Sequence, residues 1–285
     1  VFMANIGDFL DSEKTRLVDL IDKTNTTTSL PRPYLGFSQL GKDCARELWY
    51  YFRWASKSTH DGRVNRIFQV GHKAEADLIK DLESIGVEVW DVLDSQAGFS
   101  HADGAMQGHS DGMAKNIPGD EETIHLLEFK TASLKYFKLM VKNKVKKEKY
   151  IYWCQMILYM YFSGATKALF MMYCKDDSRY YIEIVHADTG AAEDLIRKGE
   201  WIVESDNVGD FPKIGSGNAS FFKCKFCDFA PVCHSGEAVE KNCRTCSNVE
   251  LVKGQWNCNL HNLDNISIEN QTKGCENHDY LDCLK

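Results

Sequence analysis

The chain has 285 residues, 44% of them hydrophobic and 26% charged, and a net charge of −7. These values exclude a disordered or low-complexity chain and require a packed core. They also exclude a uniformly basic surface, although nucleic acid responds to local charge and not to the sum.

Val1 and Phe2 stand ahead of Met3, which reads as the natural start. Nothing after it has the basic–apolar–small order of a secretory leader, so a soluble, cytoplasmic protein is expected. Residues 7–23 predict an amphipathic helix, and residues 24–37, rich in Thr, Pro and Gly, a loop. Helical spacing returns over 38–54, with Cys44, Leu48 and Tyr51 on one side. A helix over 64–85 carries Gly71, His72 and Glu75, and Val87–Val92 reads as a short strand. Residues 106–115 and 123–131 read as two strands joined by a turn at Pro118-Gly119-Asp120. Helices follow over 133–146 and 149–163. Tyr150–Phe162 is the most apolar stretch, but it contains Gln155 and is shorter than the about 20 residues a bilayer requires. It reads as a buried helix, and no membrane partner is expected. Strands at Ala168–Lys175 and Tyr180–His186, turned at Asp176-Asp177-Ser178, precede a helix over 188–204. Beyond Gly215 the chain turns to Cys, Asn, Lys and Gly, too polar to build a core without a metal staple. This order is a mixed α/β layout, a central sheet flanked by helices.

Two strands carry the chemistry. Asp111 lies in Gly108-His109-Ser110-Asp111-Gly112, expected near the middle of its strand. Glu128 and Lys130 are two apart in Leu126-Leu127-Glu128-Phe129-Lys130 and so share a face, with Leu127 and Phe129 directed into the core. Two converging carboxylates repel, and a divalent cation resolves that cost. Asp111, Glu128 and the Phe129 carbonyl offer hard oxygen donors suited to Mg2+ or Mn2+. Lys130 can orient a water or help to deprotonate it for attack on phosphorus. His72 and Glu75, three apart on a helix, share a face, and His72 is a further candidate ligand. Gln155 and Tyr159, four apart in an apolar helix, need polar partners that a phosphate site would supply. From Lys135 to Lys149 there are seven lysines and one glutamate, either a phosphate contact or a solvated face. Lys142, Lys144, Lys146, Lys147 and Lys149 are the residues expected to attract a DNA backbone, with Tyr136 and Phe137 placed to stack on unpaired bases.

The set Gly71-His72-x-x-Glu75, Gly108-x-x-Asp111, Glu128-x-Lys130 and Gln155-x3-Tyr159, in that order, resembles the RecB-type branch of the PD-(D/E)xK nucleases. The resemblance implies a restriction-endonuclease-like core and metal-dependent DNA cleavage through His72, Asp111, Glu128 and Lys130. It gives Gln155 and Tyr159 the task of positioning the DNA backbone. Ser110 stands where the pattern has proline.

Eleven cysteines, mostly crowded into the last quarter in Cys-x2-Cys pairs, point to metal ligation and not to disulfides. Cys224-x2-Cys227-x5-Cys233 lacks a fourth ligand, for which Cys44 is the candidate. One early cysteine with such a late triplet resembles the iron–sulfur nucleases of the same branch, among them CRISPR adaptation exonucleases and AddB-type nucleases. That implies a structural [4Fe-4S] cluster fastening the two ends of the nuclease core, with zinc in the same thiolates as the rival. A second set, Cys243, Cys246, Cys258 and Cys275, has zinc-like spacing, and His261 or His278 can replace one member. Cys283 belongs to the same cluster and is a further alternative for completing the site, while Cys154 and Cys174 fall in a predicted helix and strand with no role assigned.

The expected division is an N-terminal helix and loop over 1–37, a nuclease core over 38–234 and a cysteine-rich zinc-binding appendage over 235–285. The reading that follows is an exonuclease acting on DNA ends in recombination, repair or phage DNA processing. It would work beside a recombination or single-strand-binding protein or as a homo-oligomer, and in the host cytoplasm if phage-encoded. The alternatives are an inactive DNA-binding or interaction subunit, and an endonuclease or RNase of the same fold.

Overall fold

The structure, a computed structural model, describes residues 6–27, 30–57 and 61–285, with side chains from residue 15 onward. The expected start at Met3 lies outside these residues. Helix α1 (Ile6–Thr24) and the short strand β1 (Leu35–Gly36) lead into α2 (Ala45–Phe52) and the long α3 (Gly62–Ser84). Strands β2 (Glu88–Trp90), β3 (Gly98–His101), β4 (Met106–His109), β5 (Gly112–Lys115) and β6 (His125–Ala132) follow. Helices α4 (Leu134–Asn143), α5 (Val145–Glu148) and α6 (Tyr150–Ser163) cross over to β7 (Lys167–Cys174), β8 (Tyr180–His186) and α7 (Thr189–Glu204). The last part holds α8 (Phe222–Lys225), α9 (Ala230–His234), the hairpin β9 (Val249–Val252) and β10 (Gln255–Cys258), and α10 (Ile268–Lys273).

The expected mixed α/β layout is present. The central sheet runs β2-β5-β6-β7-β8, with β6 and β7 parallel and the other neighbours antiparallel. A parallel pair needs a long crossover, and α4, α5 and α6 provide it. Helices cover both faces around β6, so His125 through Phe129 are all buried. Leu127 and Phe129 pack with Leu78, Ile79 and Leu82 of α3, as their alternation predicts. Leu126 and Ala132 belong to the larger core on the other face, with Ile157 and Met160 of α6. Among the described residues no helix is long and apolar enough to cross a membrane.

Three elements depart from the sequence expectation. The strand expected over 106–115 is two strands in different sheets, because β4 pairs with β1 and β3 while β5 joins the central sheet. Asp111 therefore sits in the bend between them, not at mid-strand. The helix expected over 133–146 stops at Asn143, because Lys144 has a φ of +64°. The turn lets fully buried Val145 enter the core with its N–H donating to Glu183 at 2.9 Å. The helix expected over 38–54 begins only at Ala45, with Cys44 as its N-cap and the Cys44 sulfur accepting from the Glu47 N–H.

The polar C-terminal part joins the main core instead of standing apart. Val249, Trp256, Ile266 and Leu281 are buried in the cluster that holds Trp49 and Phe52. Arg244, 1% exposed, donates to the carbonyls of Phe52 and Pro33 at 2.9 and 2.8 Å and to the Gln271 side chain at 2.8 Å. Its guanidinium lies 3.6 Å from the Trp54 ring centroid. Beside it, buried Arg53 ion-pairs with Asp206 and donates to the Arg244 carbonyl at 3.1 Å.

Gly112 fixes the bend after Asp111. Its φ is +143°, and a Cβ there would stand 2.5 Å from Val92 Cγ1. Gly112→Ala should lower the free energy of unfolding by roughly 1–3 kcal/mol, measured by urea denaturation.

Candidate active site

β5 and β6 pair with Gly112 opposite Leu127, so the next position outward sets Asp111 beside Glu128. The Asp111 carboxylate accepts the Phe129 N–H at 2.7 Å, filling the ladder place that the bend leaves open. Glu128 is fully buried, and its Oε2 accepts from Gln155 at 3.1 Å. Lys130 ion-pairs with Glu128, lies 3.9 Å from Asp111 Oδ2 and donates to the Phe129 carbonyl at 3.0 Å. The expected convergence of Asp111, Glu128 and Lys130 is thus found, with the ammonium between the two carboxylates.

Burial pushes the Glu128 carboxyl up to about 8, with Lys130 opposing and Asp111 adding to the shift. Burial alone would lower Lys130, but the Glu128 and Asp111 carboxylates outweigh it and raise the ammonium. Glu75 reaches the site from α3, accepts from Gln96 at 2.9 Å, and is raised by burial and then by Asp111. His72 stands 4.0 Å from Glu75 and its side chain is 80% exposed, so it sits on the rim. A cavity of about 430 Å3 joins these groups, bounded by the α3 face around Gly71 to Glu75 and by Asp111, Lys130 and Tyr152.

Gln155 and Tyr159 are placed differently from the expectation. They are 8% and 2% exposed, too buried to meet a DNA backbone. Gln155 holds Glu128 instead, and burial raises the Tyr159 hydroxyl, with the Glu128 and Asp111 carboxylates adding. Gly108 makes room for the Tyr159 ring, since a Cβ there would lie 2.6 Å from its Cε1. Phe137 is likewise buried, with Arg179 over its ring, and cannot stack on a base, whereas Tyr136 is 49% exposed. Lys142, Lys144, Lys146 and Lys147 are exposed, and Lys149 is partly so. Lys146 lies 3.8 Å from the Trp153 ring centroid and 3.7 Å from Asp188. Sequence reasoning missed Gln96, whose single amide has no periodic signal to mark it.

Both cysteine sets gather. Cys44, Cys224, Cys227 and Cys233 line one small cavity of about 20 Å3. Burial raises the Cys44 and Cys233 thiols and pushes Cys227 up to about 11. Cys243, Cys246, Cys258 and Cys275 line a second cavity of about 430 Å3, together with His261 and His278. Cys275 and His261 are 3.7 Å apart, and burial pushes Cys243 up to about 11, with Cys275, Cys246 and Cys258 adding. Cys283 is not in that cavity and lies near the Asp206 carbonyl. Among the described residues no three His, Cys, Asp or Glu side chains close on one point at ligating distance.

No family model matches the chain, and no curated protein matches it in sequence. Among solved structures it is similar to the alkaline exonuclease LHK-Exo of Laribacter hongkongensis, at 16% identity and a TM-score of 0.45, over 60% of this chain and 87% of that one. LHK-Exo in complex with dAMP is similar at the same identity and TM-score, over 60% of this chain and 86% of that one. SSO0001 is similar at 15% identity and a TM-score of 0.42, over 81% of this chain and 98% of that one. These values describe a distant likeness of shape and give no residue a role.

The raised Glu128 has a consequence for stability. Its ordinary value is 4.5 and its folded value about 8, so between them the folded chain holds a proton that the unfolded chain has lost. This contribution makes stability fall as pH rises through that window. The thermal midpoint of the wild type should drop more steeply over this range than that of Glu128→Gln, measured by differential scanning fluorimetry without added metal. Parallel profiles would mean that Glu128 is already ionised throughout.

Proposed function

We propose that this chain is a divalent-metal-dependent deoxyribonuclease that hydrolyses phosphodiester bonds, working from DNA ends. The observation that carries the reading is the meeting of Asp111, from the bend after β4, with the Glu128–Lys130 pair of β6, where Asp111 and Lys130 line one cavity and Glu128 is buried beside them. Nothing in the fold requires a charged pair inside a sheet, where burying ions is costly, so the pair points to chemistry and not to stability.

The donors fit a hard cation. Asp111 and Glu128 carry carboxylates and Phe129 adds a backbone carbonyl that accepts from Lys130, an all-oxygen set of the kind Mg2+ or Mn2+ takes. Bound there, such an ion would lower the pKa of a water and neutralise charge developing on phosphate. Gln155 holds Glu128 in place from behind. Lys130 would orient a phosphate oxygen or the attacking water once a cation shares the carboxylates. Glu75, raised by burial, is suited to take up and return a proton within the cavity. His72, on the exposed rim, can swing toward a cation held by Asp111. Lys142, Lys144, Lys147 and Lys149 supply a sequence-independent attraction for the backbone.

The thiols of Cys44, Cys227 and Cys233 are raised by burial, a cost that a shared cation removes. The resemblance of the motifs favours a [4Fe-4S] cluster. The second reading is one zinc ion in the same four thiolates, which line one cavity. Cys243, Cys246, Cys258 and Cys275 suit a structural zinc ion, with His261, 3.7 Å from Cys275, or His278 able to replace one of them.

Three measurements test this. Lys130→Ala should lose activity by about 10²-fold or more on a linear duplex with Mg2+ or Mn2+, while a covalently closed circle should resist the wild type. An intact rate in the mutant removes the catalytic assignment, and rapid cutting of the circle makes the enzyme an endonuclease. Metal analysis of anaerobically purified protein should find thiolate-bound iron or zinc that Cys227→Ser reduces. Changing Lys142, Lys144 and Lys147 to Gln should flatten the slope of log binding constant on log salt by roughly 2 for single-stranded DNA.

A further inference from the structure

Lys130 stands beside every oxygen that the nuclease reading gives to a divalent ion. Its ammonium ion-pairs with Glu128, lies 3.9 Å from Asp111 Oδ2 and donates to the Phe129 carbonyl at 3.0 Å. Mg2+ takes such oxygens at about 2.1 Å. Two cations cannot share them, because like charges at that range repel strongly where water is scarce. One has to leave when the other enters.

Burial decides which group moves. The Glu128 side chain has no exposure and is held by Gln155, and Asp111 is held by the Phe129 N–H. Both carboxylates therefore stay. The Lys130 side chain is 22% exposed, lines the cavity and rides on a flexible stem. Tyr152 lines the same cavity, with its ring centroid 5.4 Å from the ammonium. It is three residues before Gln155 on α6, so one helix face carries both the amide that fixes Glu128 and the ring beside Lys130. The ring also packs near fully buried Phe170, centroids 6.5 Å apart, which steadies it. These contacts are made by the ring and not by the hydroxyl. An aromatic face attracts a cation, most of all where water is excluded.

We propose that Lys130 is a built-in competitor for the divalent ion, holding its oxygens until the ion displaces it, and that Tyr152 is the positioning residue that receives the displaced ammonium. This rests on the nuclease reading above and adds how the site is loaded. The exchange never leaves two bare carboxylates in the core, because one cation replaces another. It also turns the ammonium toward the cavity, on the side from which a phosphate enters.

The test is Mn2+ affinity, read by electron paramagnetic resonance of the free ion in the absence of DNA. Lys130→Met keeps the apolar stem and removes the charge, and should bind Mn2+ about tenfold or more tightly than the wild type. Tyr152→Leu should weaken Mn2+ binding roughly fivefold, while Tyr152→Phe, which keeps the ring, should match the wild type. The Tyr152→Leu loss should disappear in the Lys130→Met background, which a purely structural ring would not do. Mn2+ affinity in Lys130→Met at or below that of the wild type overturns the proposal. So does a Tyr152→Leu loss of the same size with and without Lys130. Should Lys130→Met fail to fold, the Tyr152 pair decides alone, and equal affinity in Tyr152→Leu and Tyr152→Phe overturns the proposal. Failure of the nuclease reading shows separately, as a wild type that exchanges Lys130 for Mn2+ yet leaves linear DNA uncut.

Discussion

An ionisable carboxylate, Glu128, lies without solvent access at the centre of a five-stranded sheet, and the rest of the site is arranged around that fact. An unpaired ion in such a place costs several kcal/mol even after relaxation. Lys130 offsets part of the cost from the same strand, and Gln155 supplies a hydrogen bond from α6. The residual shows in the carboxyl being pushed up to about 8. Removing either partner would strand the other in the core, so these groups act as a unit in both stability and chemistry. Asp111 completes the set because the chain leaves one sheet for another at Gly112, which brings a bend residue level with Glu128.

A second constraint is the mutual dependence of the core and the C-terminal part. Arg244 is a buried guanidinium with no carboxylate partner among the described residues, satisfied by carbonyls, one amide and the rings of Trp54 and Trp256. Burial and nearby Arg53 both lower it, yet its hydrogen bonds tie Phe52 of α2 and Pro33 to Gln271 of α10. A residue so placed has no stable location in a free-standing appendage. The two cysteine sets flank this junction, one at the N-cap of α2 and the other around the β9–β10 hairpin. Metal in either would therefore stabilise the same packed unit and not a detachable finger.

Much of this was legible in the chain itself. The Glu128-x-Lys130 alternation, the apolar run of α6 and the crossover order gave the sheet and the site floor, because burial patterns with fixed periods are local. The break of the 106–115 strand was not legible. Its cause, a glycine at φ +143° lodged against Val92, depends on a neighbour twenty residues away in sequence. The burial of Gln155 and Tyr159 was not legible for a related reason. Spacing shows that two polar residues share a helix face, but only the fold shows that this face looks onto Glu128 and not onto solvent. The embedding of the C-terminal part was missed because it runs through two arginines, a residue type that composition counts as surface.

The division of labour between the two walls of the cavity follows from the same physics. The sheet wall is rigid because its charged groups are buried and mutually satisfied, and displacing any of them by an ångström exposes an unpaired ion. Groups that must meet a reacting phosphate need that rigidity. The α3 wall is held less tightly. It brings Glu75 and the exposed His72 to the same cavity, beside half-exposed Ile67. Glu75 acts on Glu128 only through space, by like charge, and not through a hydrogen bond. A change on α3 can therefore retune the site's electrostatics while the buried carboxyl, its ammonium and the Gln155 amide stay in place.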